Sequence, residues 1–275
     1  MLPSSVRTKK RLGQHFLTDM AVAERIAQSL TAAEAHDVLE VGPGTGALTQ
    51  FLLRRTDINL YAVEVDAEAA DYLRRHFPEL APRLVRGSFL QMDFSQLLHG
   101  KFCIIGNFPY NISSQIFFNV LEHKDSVPEV VCMLQKEVAV RLAGKPGSRA
   151  CGILSVLLQA YYNIEYLFTV DEHVFAPPPK VKSAVVRLTR NSVQSLCCDE
   201  ALFKQVVKTT FNQRRKAIRN SLKPLLGSAT ASHPLLGMRP EQLGVAEFVE
   251  LTNVVKTARS EAMTISAMPL SNNLK

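Results

Sequence analysis

The chain has 275 residues, 47% hydrophobic and 21% charged, a composition typical of a folded globular protein and not of a disordered one. Its five cysteines include no pair of C-x-x-C motifs, which argues against a zinc ribbon or a disulfide framework and favours a reducing compartment. Neither a membrane span nor a signal peptide is visible, so we expect a cytoplasmic protein. From the cysteine pattern we also expect no metal site.

The positive charge of the chain is concentrated in one stretch. Residues 201–240 hold eight Lys and Arg and no Asp or Glu, so this stretch alone exceeds the net charge of +7. Such a local excess indicates a polyanionic partner rather than general solubility. A second basic cluster, Arg7, Lys9, Lys10 and Arg11, precedes the first predicted strand and is interpreted either as an arm that reaches the partner or as a solubilising tail.

Strands and helices alternate through the first two thirds of the chain. "HDVLEVGPGTGALTQFLLRR" runs from a strand through glycines into a helix, and further strands are predicted in "INLYAVEVD", "PRLVRGSFLQMD", "KFCIIGNF", "EVVCMLQ", "YNIEYLFTV" and "SAVVRLTR". This order predicts an α/β fold with a parallel sheet covered by helices on both faces.

After about residue 190 the pattern becomes helical, in "ALFKQVVKTTFNQRRKAIRNSLKPLL" and "RPEQLGVAEFVELTNVVKTA". We therefore predict two domains, an α/β domain over residues 1–190 and a small all-helical domain over residues 191–275. The end of the chain, "ISAMPLSNNLK", shows no periodicity and is predicted to be loosely held.

The glycine turn after the first predicted strand indicates a nucleotide-like ligand. Gly42 and Gly44 allow the backbone to approach a ligand closely, and Glu64 ends the next strand about 20 residues later, where a carboxylate can hold ribose hydroxyls. The turn also satisfies the dinucleotide pattern with alanine at its last position. Glu40 argues against a pyrophosphate, because its charge suits a cationic group such as the ammonium of a methionine moiety.

The stretch "CIIGNFPYN" places an amide, a proline and two rings at the end of a buried strand. The side-chain oxygen of Asn107 and the carbonyl of Phe108 or Pro109 are two acceptors, and Pro109 fixes its own φ. Two acceptors side by side match the N–H groups of an exocyclic amine and favour the form whose lone pair attacks a methyl group. Tyr110 offers a flat face to a base that has been flipped out of its helix. This pattern predicts amine methylation of a nucleobase.

Seven motifs in order resemble the ribosomal RNA adenine dimethyltransferase family. They are "QHFL", "EVGPGTG", "EVD", "NFPY", "QKEVAVRL", "VFAPPPKVKSAVVRL" and "FNQRRKAIRNSL", and the match runs from "KKRLGQHFL" to about residue 255. The resemblance implies a Rossmann-like methyltransferase domain followed by a small helical domain, with S-adenosylmethionine as the cofactor. It also implies a substrate, two adjacent adenosines near the 3′ end of small-subunit ribosomal RNA, each dimethylated at N6 during ribosome assembly.

Site residues follow from the resemblance by position. His15, Leu17 and Gly42 would border the methionine end of the cofactor, Glu64 would hold the ribose, and Asn107 would lie between cofactor and target amine. Tyr110 and Phe175 would sandwich the target adenine. The predicted cofactor site is His15, Leu17, Glu40, Gly42, Gly44, Glu64, Ser88 and Asn107, and the predicted catalytic residues are Asn107, Pro109, Tyr110 and Phe175.

Three positions depart from the usual pattern of the family. His15 stands where Asn is usual, which leaves its contact open. Ser88 stands where Asp usually accepts from the cofactor adenine; a neutral acceptor is weaker, so we expect reduced cofactor affinity, and the spacing of Asp93 makes it a poor substitute. Lys182 stands where Asp is usual and is expected to add positive charge near the RNA.

The basic stretch is the predicted RNA-binding site. Arg215, Arg219 and Lys223 are four residues apart and are expected on one helix face. The full predicted set is Lys208, Arg214, Arg215, Lys216, Arg219 and Lys223, residues that would position phosphates without reading sequence.

Three alternatives remain beside a small-subunit dimethyltransferase that acts as a monomer. One is a dimethyltransferase of the antibiotic-resistance type, acting on large-subunit RNA. Another is a non-catalytic factor that binds pre-ribosomal particles, against which the presence of Asn107, Pro109 and Tyr110 together argues. The last is a nicotinamide dehydrogenase, disfavoured by Glu40.

Overall fold

The computed structural model describes residues 6, 8, 9, 12–148, 150–227 and 229–267. These residues cluster into two compact units. The first contains the chain up to Ala143 together with Tyr161–Asn191, and the second contains Gly144–Ala160 and the chain from Ser192 onward. The prediction of a single boundary at residue 190 placed residues 144–160 in the α/β domain, whereas they belong to the helical unit.

Strands and helices alternate in the first unit as predicted. Its strands are β1 (Phe16–Leu17), β2 (Asp37–Val41), β3 (Asn59–Glu64), β4 (Leu84–Arg86), β5 (Phe102–Asn107), β6 (Glu129–Gln135), β7 (Tyr162–Val170), β8 (Phe175–Ala176) and β9 (Ser183–Arg190). Its helices are α1 (Met20–Gln28), α2 (Thr49–Leu52), α3 (Ala67–His76), α4 (Ser113–Glu122) and α5 (Lys136–Leu142).

Seven strands of the described chain form one sheet, in the order β4-β3-β2-β5-β6-β9-β7. The pairs from β4 to β6 are parallel, whereas β9 pairs antiparallel with both β6 and β7. Strand β3 lies on one side of β2, and β5, which comes later in the chain, lies on the other side. The carboxyl end of β2 is therefore a topological switch point, the place where open α/β sheets bind ligands. β1 pairs antiparallel with β8 outside this sheet.

The central strands are long apolar runs because both faces of the sheet are covered. Val38, Leu39, Ile104 and Ile105 are completely buried. Cys103 is also completely buried, as its apolar surroundings in the sequence predict. These runs end in polar or glycine residues at the carboxyl ends of the strands, and the candidate site lies there.

The second unit is helical among its described residues. Its helices are α6 (Ile153–Gln159), α7 (Glu200–Asn212), α8 (Ile218–Ser221), α9 (Lys223–Leu226) and α10 (Val245–Ala267). Phe211 and Phe248 stack at 5.9 Å between α7 and α10. Helix α6 packs against α7 and α10 with Val156, Leu157 and Leu158 buried, which is why residues 144–160 group with this unit.

The expectation that Arg215, Arg219 and Lys223 share one helix face is wrong. Helix α7 ends at Asn212, the backbone is extended at Ala217, and two separate one-turn helices follow. Between Phe211 and Ile218 the sequence offers only polar side chains and one alanine, so no large apolar residue holds a further helical turn against the core.

Parts of two terminal predictions lie outside the described residues. Of the basic cluster near the start of the chain, Arg7, Lys10 and Arg11 are outside, and so is the tail from residue 268. None of the helices that the structure describes has the length and apolar character needed to cross a bilayer.

Candidate active site

A pocket opens at the carboxyl ends of β2, β3 and β5. Four segments line it, namely residues 12–16, the glycine turn, the end of β3 and the Asn-Phe-Pro-Tyr stretch. The lining residues are Leu12, Gly13, Gln14, His15, Phe16, Gly42, Gly44, Glu64, Val65, Asn107, Phe108, Pro109 and Tyr110. Seven of the predicted site residues therefore meet in one place.

Gly42 gives this pocket its room. Its φ is +65°, and a Cβ built on it would have no protein atom within 4 Å, so the space beside its backbone is open to a ligand. Gly44 differs, because a Cβ there would lie 2.8 Å from the ring of Phe16. The first glycine thus serves ligand approach and the second serves packing.

Glu64 lies buried beside the glycine turn. Its carboxylate accepts from the N–H of Gly44 at 3.0 Å and from the N–H of Asp66 at 2.8 Å. Burial raises the pKa of Glu64, and the two backbone bonds oppose that rise. Each carboxylate oxygen keeps a second lone pair with which it can hold a hydroxyl group. Val65 follows with 53% of its surface exposed, an apolar platform beside that carboxylate.

Asp66 holds the N-terminal segment at the pocket. It accepts from Lys9 Nζ at 2.5 Å and from Gln14 Nε2 at 3.1 Å, while Gln14 Oε1 accepts from the N–H of Lys9. Burial alone would raise the pKa of Asp66, but these hydrogen bonds lower it overall. Lys9 is paired with a carboxylate of its own chain. This residue of the predicted basic arm therefore helps to hold the segment that lines the pocket.

Asn107 ends β5 with a fixed orientation. Its Nδ2 donates to the carbonyl of His15 at 2.9 Å, and a carbonyl can only accept, so the side-chain oxygen is on the other side of the amide. The carbonyl of Pro109 accepts from the N–H of Ile112 at 3.2 Å. This bond favours the carbonyl of Phe108 as the second acceptor.

Tyr110 is held at both ends. Its hydroxyl lies 2.5 Å from Ser183 Oγ, and its ring stacks on His15 with 5.5 Å between centroids and 29° between planes. Burial raises the pKa of the phenol, which stays neutral at physiological pH. A flat and immobile ring therefore stands next to Asn107.

Phe175 and Leu17 do not reach the pocket. They face each other in the β1–β8 pair and are 3% and 4% exposed, packed into the main core. A buried ring cannot stack on a base, so the predicted sandwich of Tyr110 and Phe175 does not exist in this structure. The pairing of β1 with β8, distant in sequence, decides the direction of both side chains.

Glu40 also lies outside the pocket lining. It is 1% exposed, and Thr49 Oγ1 of α2 donates to its carboxyl group at 2.7 Å. Burial raises the pKa of Glu40 to about 8. Glu40 is therefore not placed to contact a cationic ligand in this pocket, because its carboxyl group is buried and bonded to Thr49.

Ser88 does not line this pocket but lies in a groove next to it, where the N–H of Gly87 donates to the carbonyl of Glu64 at 2.9 Å. The groove is lined by Val63, Val85, Gly87, Ser88, Gln91, Met92, Asp93, Gln96 and Leu97. Asp93 accepts from the N–H and the hydroxyl of Ser95 and from Gln96 Nε2, bonds that lower its pKa. Its oxygens therefore serve a local turn, in keeping with the expectation that Asp93 is a poor substitute for the missing carboxylate at Ser88.

The extra charge expected from Lys182 is neutralised. Lys182 Nζ pairs with Asp171 Oδ1 at 2.5 Å, and both side chains are about half exposed. This ion pair raises the pKa of Lys182 and lowers that of Asp171.

The predicted RNA-binding residues lie in the second unit. Arg215, Lys216, Arg219 and Lys223 are exposed around the turn and short helices after α7. Arg214 and Lys208 are half-buried, and Arg214 lies 3.8 Å from Glu241. The charge concentration is real at the surface although its helical arrangement is different from the predicted one.

Sequence reasoning missed five lining residues, which are Leu12, Gly13, Gln14, Phe16 and Val65, and it named Phe108 only for its carbonyl. Val65 carried a signal, as an apolar residue directly after the ribose-type acid. The described side chains contain no group of three or more His, Cys, Asp or Glu placed to hold a metal ion.

Residues 5–256 match the family described as ribosomal RNA adenine dimethylase. The chain belongs to this family. A protein of Parabacteroides distasonis named ribosomal RNA small subunit methyltransferase A is 59% identical over 249 residues, 90% of this chain and 93% of that one. A protein of the same name from Bacteroides thetaiotaomicron is 56% identical over 260 residues, 94% and 97% of the two chains.

Two solved structures share the fold. The crystal structure of a dimethyladenosine transferase from Plasmodium falciparum aligns with a TM-score of 0.70 at 21% identity, over 86% of this chain and 96% of that one. That of the 23S rRNA methyltransferase ErmE aligns with a TM-score of 0.64 at 27% identity, over 86% and 99%. The predicted Rossmann-like methyltransferase sheet with a C-terminal helical part is confirmed, and the cofactor of this family member is S-adenosylmethionine.

Proposed function

We propose that this chain dimethylates N6 of two adjacent adenosines near the 3′ end of small-subunit ribosomal RNA during ribosome assembly. The observation that carries the proposal is the direction of Asn107, whose oxygen is left for a substrate by the bond from its Nδ2 to the His15 carbonyl. The names of the relatives that are 52% to 59% identical support the small subunit as the substrate.

The residues of the pocket fit S-adenosylmethionine. The open space at Gly42 is a cradle that a Cβ would fill, and the carboxylate of Glu64 suits the ribose hydroxyls. Exposed Val65 offers an apolar contact for the adenine of the cofactor. When bound, S-adenosylmethionine supplies an electrophilic methyl group.

The side chains around Asn107 prepare the target amine. Asn107 Oδ1 and the carbonyl of Phe108 accept its two N–H groups, which concentrates the nitrogen lone pair towards the methyl group. Tyr110 holds the plane of the base by stacking. No general base is required at the amine, because the proton that leaves after methyl transfer can pass to water.

The two units divide the work in this proposal. The first holds the cofactor and the target base, and the exposed arginines and lysines after α7 in the second hold phosphates. We further propose that the protein acts as a monomer in the cytoplasm, where small subunits are assembled. The mass of the protein in solution, measured by light scattering, tests the first of these two points.

The test is to incubate the protein with labelled S-adenosylmethionine and undermethylated small subunits and then to map the modified nucleotides. We expect label on N6 of two adjacent adenosines near the 3′ end. Label on large-subunit RNA would select the resistance-type activity. Binding without any transfer would make the protein a non-catalytic assembly factor.

A further inference from the structure

His15 contacts three parts of the active site at once. Its Nδ1 lies 2.8 Å from the carbonyl of Pro177, its own carbonyl accepts from Asn107 Nδ2 at 2.9 Å, and its ring stacks on Tyr110. The resemblance to the family places this residue at the cofactor. The contacts of its side chain are instead with the ring of Tyr110 and the carbonyl of Pro177.

The hydrogen bond to Pro177 fixes the imidazole. A carbonyl oxygen only accepts, so Nδ1 carries the hydrogen and the ring can bond in one orientation alone. That orientation sets the ring 29° from the plane of Tyr110 with 5.5 Å between centroids, within the range of favourable aromatic pairs. The imidazole therefore packs with an offset against one face of Tyr110.

Tyr110 has little freedom to turn away from this contact. Its hydroxyl is held by Ser183 Oγ, and Ser183 is completely buried. His15 occupies part of one face of the ring, which favours the other face for a base. Through its carbonyl, the same histidine also sets the direction of Asn107.

We propose that His15 is a positioning residue for the target adenosine: its ring backs Tyr110 and its backbone orients Asn107, so that the base stacks on the free face of Tyr110. This inference rests on the proposed function. It assigns the side chain of His15 to the substrate and not to the cofactor.

The test compares His15→Ala with His15→Phe, which keeps an aromatic ring against Tyr110. Both variants keep the backbone carbonyl that binds Asn107. Three quantities are measured, which are the affinity for S-adenosylmethionine by calorimetry, the single-turnover methylation rate at saturating small subunits, and the KM for those subunits.

We expect His15→Ala to lower the methylation rate about three- to tenfold, as the loss of an aromatic contact implies, with the cofactor affinity within about twofold of wild type. His15→Phe should recover most of the rate. His36→Ala is the matched control. Like His15, His36 donates from Nδ1 to a backbone carbonyl, that of Asp57 at 2.9 Å, but it lies at the amino end of β2, away from the pocket.

Two outcomes would overturn the inference. Parallel loss of cofactor affinity and rate in both variants would return His15 to the cofactor site. Unchanged kinetics in His15→Ala would remove it from the mechanism. A wild-type protein that binds cofactor but transfers no methyl group would contradict the proposed function itself. The wild-type assay, done before any variant is compared, shows this outcome.

Discussion

Asn107 ends strand β5 with its amide turned in one direction, held by the carbonyl of His15. Asn107→Ala removes the acceptor for the amine while leaving the RNA surface of the second unit untouched. We expect the single-turnover rate to fall by about 10² to 10³, the usual effect of losing one preorganised group that stabilises charge in the transition state. Rapid quench with labelled cofactor measures the rate, and filter binding measures affinity for small subunits, which should be nearly unchanged.

Asn163→Ala is the control for this substitution. Asn163 is exposed on strand β7, so its loss removes an amide of the same kind from the same unit without touching the pocket. If Asn107→Ala methylated at the rate of this control, the pair of acceptors would have no part in catalysis.

Glu40 makes stability depend on pH. Its pKa is raised from 4.5 to about 8 in the fold, so between those values the folded protein retains a proton that the unfolded chain has lost. The free energy of unfolding therefore falls as pH rises through this window, by up to about 1.4 kcal/mol per pH unit from this group. Glu40→Gln stays neutral, and we expect a smaller decrease between pH 5 and pH 8 in urea denaturation.

The comparison needs a glutamate on the surface. Glu79→Gln removes an exposed carboxyl and should keep the pH dependence of the wild type. Glu64, whose pKa burial also raises, is present in all three proteins. Because the charge of Glu64 helps to raise the pKa of Glu40, the difference between Glu40→Gln and wild type measures Glu40 together with this interaction. Equal slopes for Glu40→Gln and wild type would mean that Glu40 is ionised in the fold.

The glycine turn between β2 and α2 is an element built around a ligand. At Gly42 an alanine would meet no protein atom, so Gly42→Ala should fold with a cost of about 1 to 2 kcal/mol for the left-handed backbone. The new methyl group would stand in the ligand space. We expect the dissociation constant for S-adenosylmethionine to rise about tenfold or more, measured by calorimetry.

A glycine in the second unit is the control, because it separates the cost of backbone strain from steric obstruction of the ligand. Gly147 has a φ of +84° and, like Gly42, no protein atom within 4 Å of a built Cβ. Gly147→Ala therefore carries the same kind of backbone cost without a ligand nearby. A similar loss of cofactor affinity in both variants would attribute the effect to stability.

Elements made from adjacent residues could be predicted from the sequence. The glycine turn, Glu64 and the Asn-Phe-Pro-Tyr stretch each follow a strand directly, and strand order in an α/β sheet brings their ends together. Phe175 could not be placed, because its direction depends on the pairing of β8 with β1. Glu40 was misplaced for a similar reason, since its burial and its bond to Thr49 of the next helix depend on packing that the sequence does not show.

At the scale of the whole molecule, chemistry and positive charge lie in different units. The pocket is in the first, and the exposed Arg215, Lys216, Arg219 and Lys223 are in the second. Residues 144–160 join the second unit through buried apolar side chains of α6. The sequence could not show this, because an amphipathic helix does not reveal which core it will join.

This separation predicts that RNA affinity and cofactor affinity can be changed independently. Charge reversal of Arg215 and Arg219 to Glu should weaken binding to small subunits and reduce the slope of log K against log salt by roughly one to two, because each lost phosphate contact releases about one counterion fewer. Cofactor affinity should stay at the wild-type value. Filter binding over a series of salt concentrations measures the slope.

Reversal of Lys256 and Arg259 in α10 gives the same change in net charge at another place in the second unit. If the RNA were held by net charge alone, both double variants would lose affinity and slope equally. A surface that contacts phosphates at defined positions requires a larger loss for Arg215 and Arg219. Only that difference, with cofactor affinity constant in all proteins, assigns RNA binding to the residues after α7.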